Sequence, residues 1–213
     1  MNRPITSGSQ LNGHKIERYG SVAQAFHWAT AVFVLIAFIY GPGGSEQRVY
    51  SAARDFDRQL HETLGFTVLT LVALRLVWRA FDARPDVDTA RWMTTVARVT
   101  HAVLYLLLFA VPFTAIAGAW LEGHPLTLLG RIEVPATLPL AHDTGAIIAR
   151  VHTWLGDTIV WVAGFHALAA LFHQIVLKDN VLASMLPRCF SLRAREIPRP
   201  KRWCRRARCG RAR

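Results

Sequence analysis

Residues 151–177, VHTWLGDTIVWVAGFHALAALFHQIVL, are the stretch whose reading decides the fold. Asp157 is its only Asp, Glu, Lys or Arg. As helix, at about 1.5 Å per residue, a segment of this length reaches across the roughly 30 Å hydrocarbon core of a bilayer. It also carries His152 and His166, fourteen residues apart. At about 100° per residue that spacing is almost four turns, so both side chains return to nearly one face, about 21 Å apart along the axis. The stretch reads as a membrane span that offers one imidazole near each membrane surface.

Working outward, the distribution of charge marks three more spans. The chain is 52% hydrophobic and 18% charged, with a mean hydropathy of +0.24; soluble domains are nearer about 25% charged. No Asp, Glu, Lys or Arg lies between Arg18 and Glu46, or between Arg98 and Glu122. Each gap exceeds the roughly 20 apolar residues that cross a bilayer as helix. A weaker apolar stretch, residues 61–78, holds Glu62 near its start and Arg75 near its end. The expected fold is all-α, an integral membrane four-helix bundle spanning residues 21–178, with spans at 21–40, 60–80, 96–121 and 151–177. A polar leader (1–20) precedes it and a basic tail (179–213) follows. The first span stops at Gly41-Pro42-Gly43-Gly44, because glycine and proline together end a helix firmly. Residues 45–60 mix charges and are expected to form a short surface helix. Pro112 is expected to kink the third span. The loop 122–149 is semi-apolar and proline-rich, and is expected to lie against the outer membrane surface. His124 and His142 fall in that loop and His14 in the leader; none is assigned a role. No internal repeat, second domain or signal peptide is expected, since the first apolar stretch follows a polar leader and lacks a small-residue cleavage site.

The net charge of +11 raises the question of nucleic acid, but its placement argues for a membrane instead. Twelve of the 25 Lys and Arg lie after Leu177. With four spans, the two termini and the middle loop share one side. That side holds nineteen basic residues against five on the other, with Arg75 inside a span. The positive-inside rule then puts both termini in the cytoplasm, and the tail reads as an anchor touching anionic lipid. Cys189, Cys204 and Cys209 all fall in the tail, on the reducing side. They imply no structural disulfide and match no common zinc spacing.

Alternating span directions sort four histidines by depth. His61 and His152 open the second and fourth spans on the outer side. His27, near the start of the first span, matches His166 on the inner side. Two imidazoles at one height on neighbouring helices can clamp one iron, so the two matched pairs are what two b-type haems would require. No CxxCH occurs, which excludes covalent c-type attachment. Taken singly, each histidine is equally compatible with a bond to a neighbouring helix or with contact to interfacial water. Gly65, Gly156 and Gly164 sit close to these histidines and would let a flat ring approach the backbone, although close helix packing asks for glycine as well. Arg75 is a candidate partner for a haem propionate, because a guanidinium in lipid needs an anion; snorkelling to the headgroups is its alternative. His101 and His173 are candidate propionate or quinone contacts.

At this point the residues resemble the bacterial cytochrome b561 family, which shares its fold with the membrane cytochrome b subunits of nickel-iron hydrogenases and formate dehydrogenases. The matching segments are AFHW around His27, QLHETLGF around His61, THAVLYLLLFAVPFTAIAG in the third span, and GFHALAALFHQIVLKDNVLASMLP from the fourth span onward. The last is the most specific, and together they cover about residues 17–188. The resemblance implies two haems b, one ligated by His27 and His166 and one by His61 and His152. It implies an inner-membrane oxidoreductase that passes single electrons between a periplasmic-side donor, superoxide or a protein redox partner, and ubiquinone of the quinone pool. An outer patch of Arg48, Arg54, Arg58, Arg131 and Arg150 is expected to attract an anionic donor. Asp157 departs from the family pattern, placing a carboxylate near His152. Two other functions stay open: an electron-carrying anchor subunit of a hydrogenase- or dehydrogenase-type complex, and a non-redox transporter whose histidines bind ions.

Overall fold

The computed structural model describes residues 19–81, 91–129, 132–178 and 181–186. Most of the leader, the middle loop with Arg84, the Arg131 turn and the tail with its three cysteines lie outside the described residues. In chain order the elements are α1 (Ser21–Ile39), α2 (Glu46–Val49), a 3-10 turn (Ala52–Arg54), α3 (Asp55–Phe81), α4 (Arg91–Leu121), β1 (Leu126–Leu128), β2 (Ile132–Val134), α5 (His142–Phe172) and α6 (Val181–Met185). The last turn of α5 widens into a π-helical segment, His173–Leu177, which stops at Lys178 in the left-handed region, φ 54°. α1, α3, α4 and α5 are each long and apolar enough to cross a membrane.

These four form one bundle. α4 packs chiefly on α5, α1 chiefly on α3, and α3 also meets α4 and β1. Val68, Val72, Leu107 and Ile159 are buried between them, while Leu106, Trp161, Phe165 and Leu168 each expose more than half of their surface. A broad apolar exterior is a liability in water and is the solvated face in lipid. The tightest crossing is between α4 and α5. A Cβ on Gly118 would meet the Ala149 nitrogen at 3.1 Å, and one on Gly145 would meet the Glu122 Cγ at 2.7 Å. Here the two backbones touch, as small residues permit in membrane helices.

The ends of the spans differ from the sequence-based expectation for one physical reason. α5 begins at His142, nine residues before position 151, and α4 begins at Arg91, five before position 96. Charges such as Asp143 and Arg150 mark where lipid stops, and the helices continue beyond it. The expected surface helix at 45–60 resolves into α2, the 3-10 turn and the first residues of α3. The long loop is partly ordered as an antiparallel hairpin, with Leu126 opposite Val134. Its edge is tied to α3: the Thr127 N–H donates to Glu62 Oε2 at 2.6 Å and the Leu129 N–H to Thr63 Oγ1 at 2.8 Å. At the opposite end, which we call the tail end, α6 docks beneath α1. Its final carbonyls would otherwise be orphaned; Gln24 Nε2 donates to Ser184 O at 3.1 Å and Trp28 Nε1 to Met185 O at 3.0 Å.

Candidate cofactor site

The bundle brings the histidines together at two levels. At the hairpin end, His61 of α3 faces His152 of α5, with ring centroids 5.9 Å apart and planes at 83°. Towards the tail end, His27 of α1 faces His166 of α5 at 6.4 Å and 73°. Two metal–imidazole bonds of about 2 Å each, plus the distance from each ring nitrogen to its own centre, add up to a separation of this size. α5 therefore contributes one imidazole to each level.

Backbone carbonyls set the ring orientation at the hairpin-end level. His61 Nδ1 lies 2.7 Å from the Ala37 oxygen, and His152 Nδ1 lies 2.9 Å from the Val111 oxygen. A carbonyl only accepts, so each Nδ1 carries the proton and each Nε2 keeps its lone pair, which is the state in which imidazole binds a metal. Local sequence supplies the first acceptor. At the GPGG terminus of α1, the Gly41 N–H turns to Phe38 O, which leaves the Ala37 carbonyl for His61. The Val111 carbonyl, within α4, also accepts from Thr114 Oγ1 at 2.9 Å.

An apolar cleft, partly open to its surroundings, surrounds this pair. Its walls include Val34, Phe38, Leu108, Ile116 and Val160, with Gly65 and Gly156 beside the imidazoles. A Cβ added at either glycine would meet nothing within 4 Å. These two glycines are therefore not spacers between helices, unlike Gly118 and Gly145; they leave room in the cleft itself. A flat, largely apolar macrocycle whose iron takes imidazole ligands suits that apolar lining and donor set.

The tail-end level has a third imidazole. The His101 ring centre lies 5.3 Å from that of His166, nearer than His27. One turn further along α4, the Tyr105 hydroxyl is buried without a hydrogen-bond partner. The guanidinium carbons of Arg75 and Arg79 stand 5.6 and 5.8 Å from the Tyr105 ring centre. Among the described residues no carboxylate pairs with Arg75. Two cations and an orphaned hydroxyl suit an anionic acceptor such as a propionate. Tyr105 was legible in principle, four residues after His101 and hence on the same helix face, but hydropathy alone gave it no role. His173 stands half-buried in the π-helical turn.

One expectation is corrected. Arg58 is not a surface cation: it is buried and paired with Asp55 at 2.6 Å and Glu62 at 2.9 Å. Arg54 is likewise paired, with Asp57 at 2.9 Å. The acids one turn away in α3 neutralise both, which leaves Arg48 and Arg150 as the exposed cations of that patch among the described residues. Asp157 points outward from the bundle and is exposed.

A membrane bundle of four helices with imidazoles stacked at two depths defines the class: a four-helix membrane cytochrome. The family model for prokaryotic cytochrome b561 matches residues 18–188. Cytochrome b561 homolog 2 of Escherichia coli is 31% identical over 172 residues, covering 80% of this chain and 92% of the relative. A probable superoxide oxidase, CybB, of Yersinia pestis is 29% identical, covering 81% and 97%. Cytochrome b562 of Cereibacter sphaeroides is 30% identical, covering 79% and 94%. The chain belongs to the prokaryotic cytochrome b561 family. It is a membrane electron-transfer protein of a b-type haem family, and four apolar helices in such a family fit a bacterial inner membrane. That family function sets aside the non-redox transporter.

Proposed function

We propose that this chain holds two haems b and conducts single electrons between a donor on the hairpin side and ubiquinone. His61 and His152 ligate one haem, and His27 and His166 ligate the other. Each haem supplies an iron couple that accepts and releases one electron. The protein does the rest. The Ala37 and Val111 carbonyls hold two imidazoles in the ligating tautomer, and the apolar walls of the cleft keep water from the ring faces. Arg75, with Tyr105 beside it, receives a propionate at the tail-end level, while His101 and His173 lie where a propionate or a quinone headgroup would be contacted. Because two histidines would hold each haem iron, a donor would pass its electron without binding the metal. Superoxide is the donor we favour, because a relative that aligns along 97% of its length bears that activity in its name. We assign the termini to the cytoplasm, on the bias of nineteen basic residues against five. The hairpin end is then periplasmic.

The observation that carries this reading is the pair of imidazole levels on one helix, with the hairpin-end rings turned by backbone carbonyls. The test is haem stoichiometry and a reduced-minus-oxidised spectrum on purified protein. Two haems per chain are expected, falling to one in His61→Ala, His152→Ala, His27→Ala or His166→Ala. Wild-type stoichiometry in all four variants overturns the ligand assignment. Haem spectra that do not change on superoxide generation reject that donor.

A further inference from the structure

Outside the cleft, at the hairpin end, four donor groups from three segments converge. Glu46 opens α2, Glu122 and His124 follow α4, and His142 opens α5. One ligand atom each from Glu46, Glu122 and His124 lies within 4.8 Å of the others, and all three residues are half-buried. His124 Nε2 stands 2.7 Å from Glu46 Oε1, and His142 Nε2 stands 3.5 Å from Glu46 Oε2.

The surroundings fix these groups. The Tyr50 ring stacks on His124 with centroids 3.7 Å apart and planes at 21°. Gly123, between Glu122 and His124, has φ +86°, a conformation side chains resist. Gly145 lacks the Cβ that would displace the Glu122 side chain. The set holds two carboxylates and no Lys or Arg. Burial and the facing Glu46 push the Glu122 carboxyl up, whereas the hydrogen bond from His124 holds the Glu46 carboxyl down. Two carboxylates that share so little positive charge are satisfied together by one dication.

We infer that Glu46, Glu122 and His124, with His142 as fourth donor, form a site for a divalent transition metal of the zinc class. Two imidazoles and two carboxylates are a zinc donor set. Bonds of about 2.0–2.2 Å put tetrahedral ligand atoms about 3.5 Å apart, so the glutamate side chains close on the metal by rotation. None of the four residues lines the haem cleft, and the site does not rest on the haem reading. The metal fastens α2 to the start of α5 and the end of α4. Through Tyr50, whose ring lies 5.2 Å from the Arg58 guanidinium carbon, the clasp continues to Glu62 in the cleft wall.

The test uses untagged full-length protein with its haem, stripped by chelator and titrated with Zn²⁺ against a chromophoric competitor. The wild type is expected to bind one zinc more per chain than the double variant Glu46→Gln, His124→Ala. The affinity loss should exceed the about 10–100-fold that outer-shell partners of metal sites are worth. Zinc taken by Cys189, Cys204 and Cys209 is common to both proteins and cancels. Retained haem absorbance shows that a variant has folded. Glu122→Gln alone, with no change at Glu46 or His124, gives a second reading and should also weaken binding. Equal zinc in the wild type and in folded variants overturns the inference and leaves carboxylate–imidazole ion pairs only.

Discussion

At the scale of single residues, histidine and glycine do different work in different places, and the contacts tell the places apart. Gly65 and Gly156 face open space beside His61 and His152, whereas Gly118 and Gly145 face backbone. A Cβ at position 156 meets no protein atom within 4 Å, and a larger side chain there would extend into the cleft that we assign to a porphyrin. Gly156→Leu is expected to give a folded, helical membrane protein with one haem instead of two, as read by haem stoichiometry and circular dichroism. If it keeps both haems, the cleft is not where the ring sits. The same logic covers ring orientation. His152 donates Nδ1–H to Val111, so His152→Gln, which cannot offer an imidazole Nε2, should lose the hairpin-end haem as completely as His152→Ala.

At the scale of elements, packing between α4 and α5 holds the two levels in register. Gly145→Val would place a branched side chain where Glu122 Cγ, the Glu122 nitrogen and the Gly118 oxygen lie 2.7, 3.0 and 3.1 Å from a Cβ. Backbone cannot rotate aside as a side chain can. Overpacking of this kind costs about 1–3 kcal/mol, so the thermal unfolding midpoint in detergent should fall. The elements also show what a sequence discloses. The spans were legible because lipid excludes charge, and the pairs His27–His166 and His61–His152 because helical depth follows from counting residues. The helix ends were not, since α5 runs on past Arg150 into water. Nor was the cluster of Glu46, Glu122, His124 and His142: apart from the neighbours Glu122 and His124 its members are far apart in the chain, and they meet only because the α4–α5 turn and α2 fold onto one end. Arg58 was misread because an arginine near a span end is usually solvated, and here Asp55 and Glu62 lie within one helical turn of it.

At the scale of the whole molecule, the two imidazole levels give the bundle a direction only once its orientation is set. Orientation depends on basic residues close to the spans, and acids contribute little. The cytoplasmic side in our assignment holds Arg3, Lys15 and Arg18, then Arg79, Arg84, Arg91 and Arg98, and Lys178 before the far tail begins. Those eight already outnumber the five across the membrane. On that assignment the tail beyond residue 186 adds to a bias that exists without it. Chains ending at residue 186 or at residue 213 should then orient alike. A green fluorescent reporter fused to either end point should fluoresce, and alkaline phosphatase fused there should be inactive. Active phosphatase on the full chain would reverse the molecule and put the hairpin end, with its pair of imidazoles, in the cytoplasm. Active phosphatase on the shortened chain alone would mean that the far tail sets the topology.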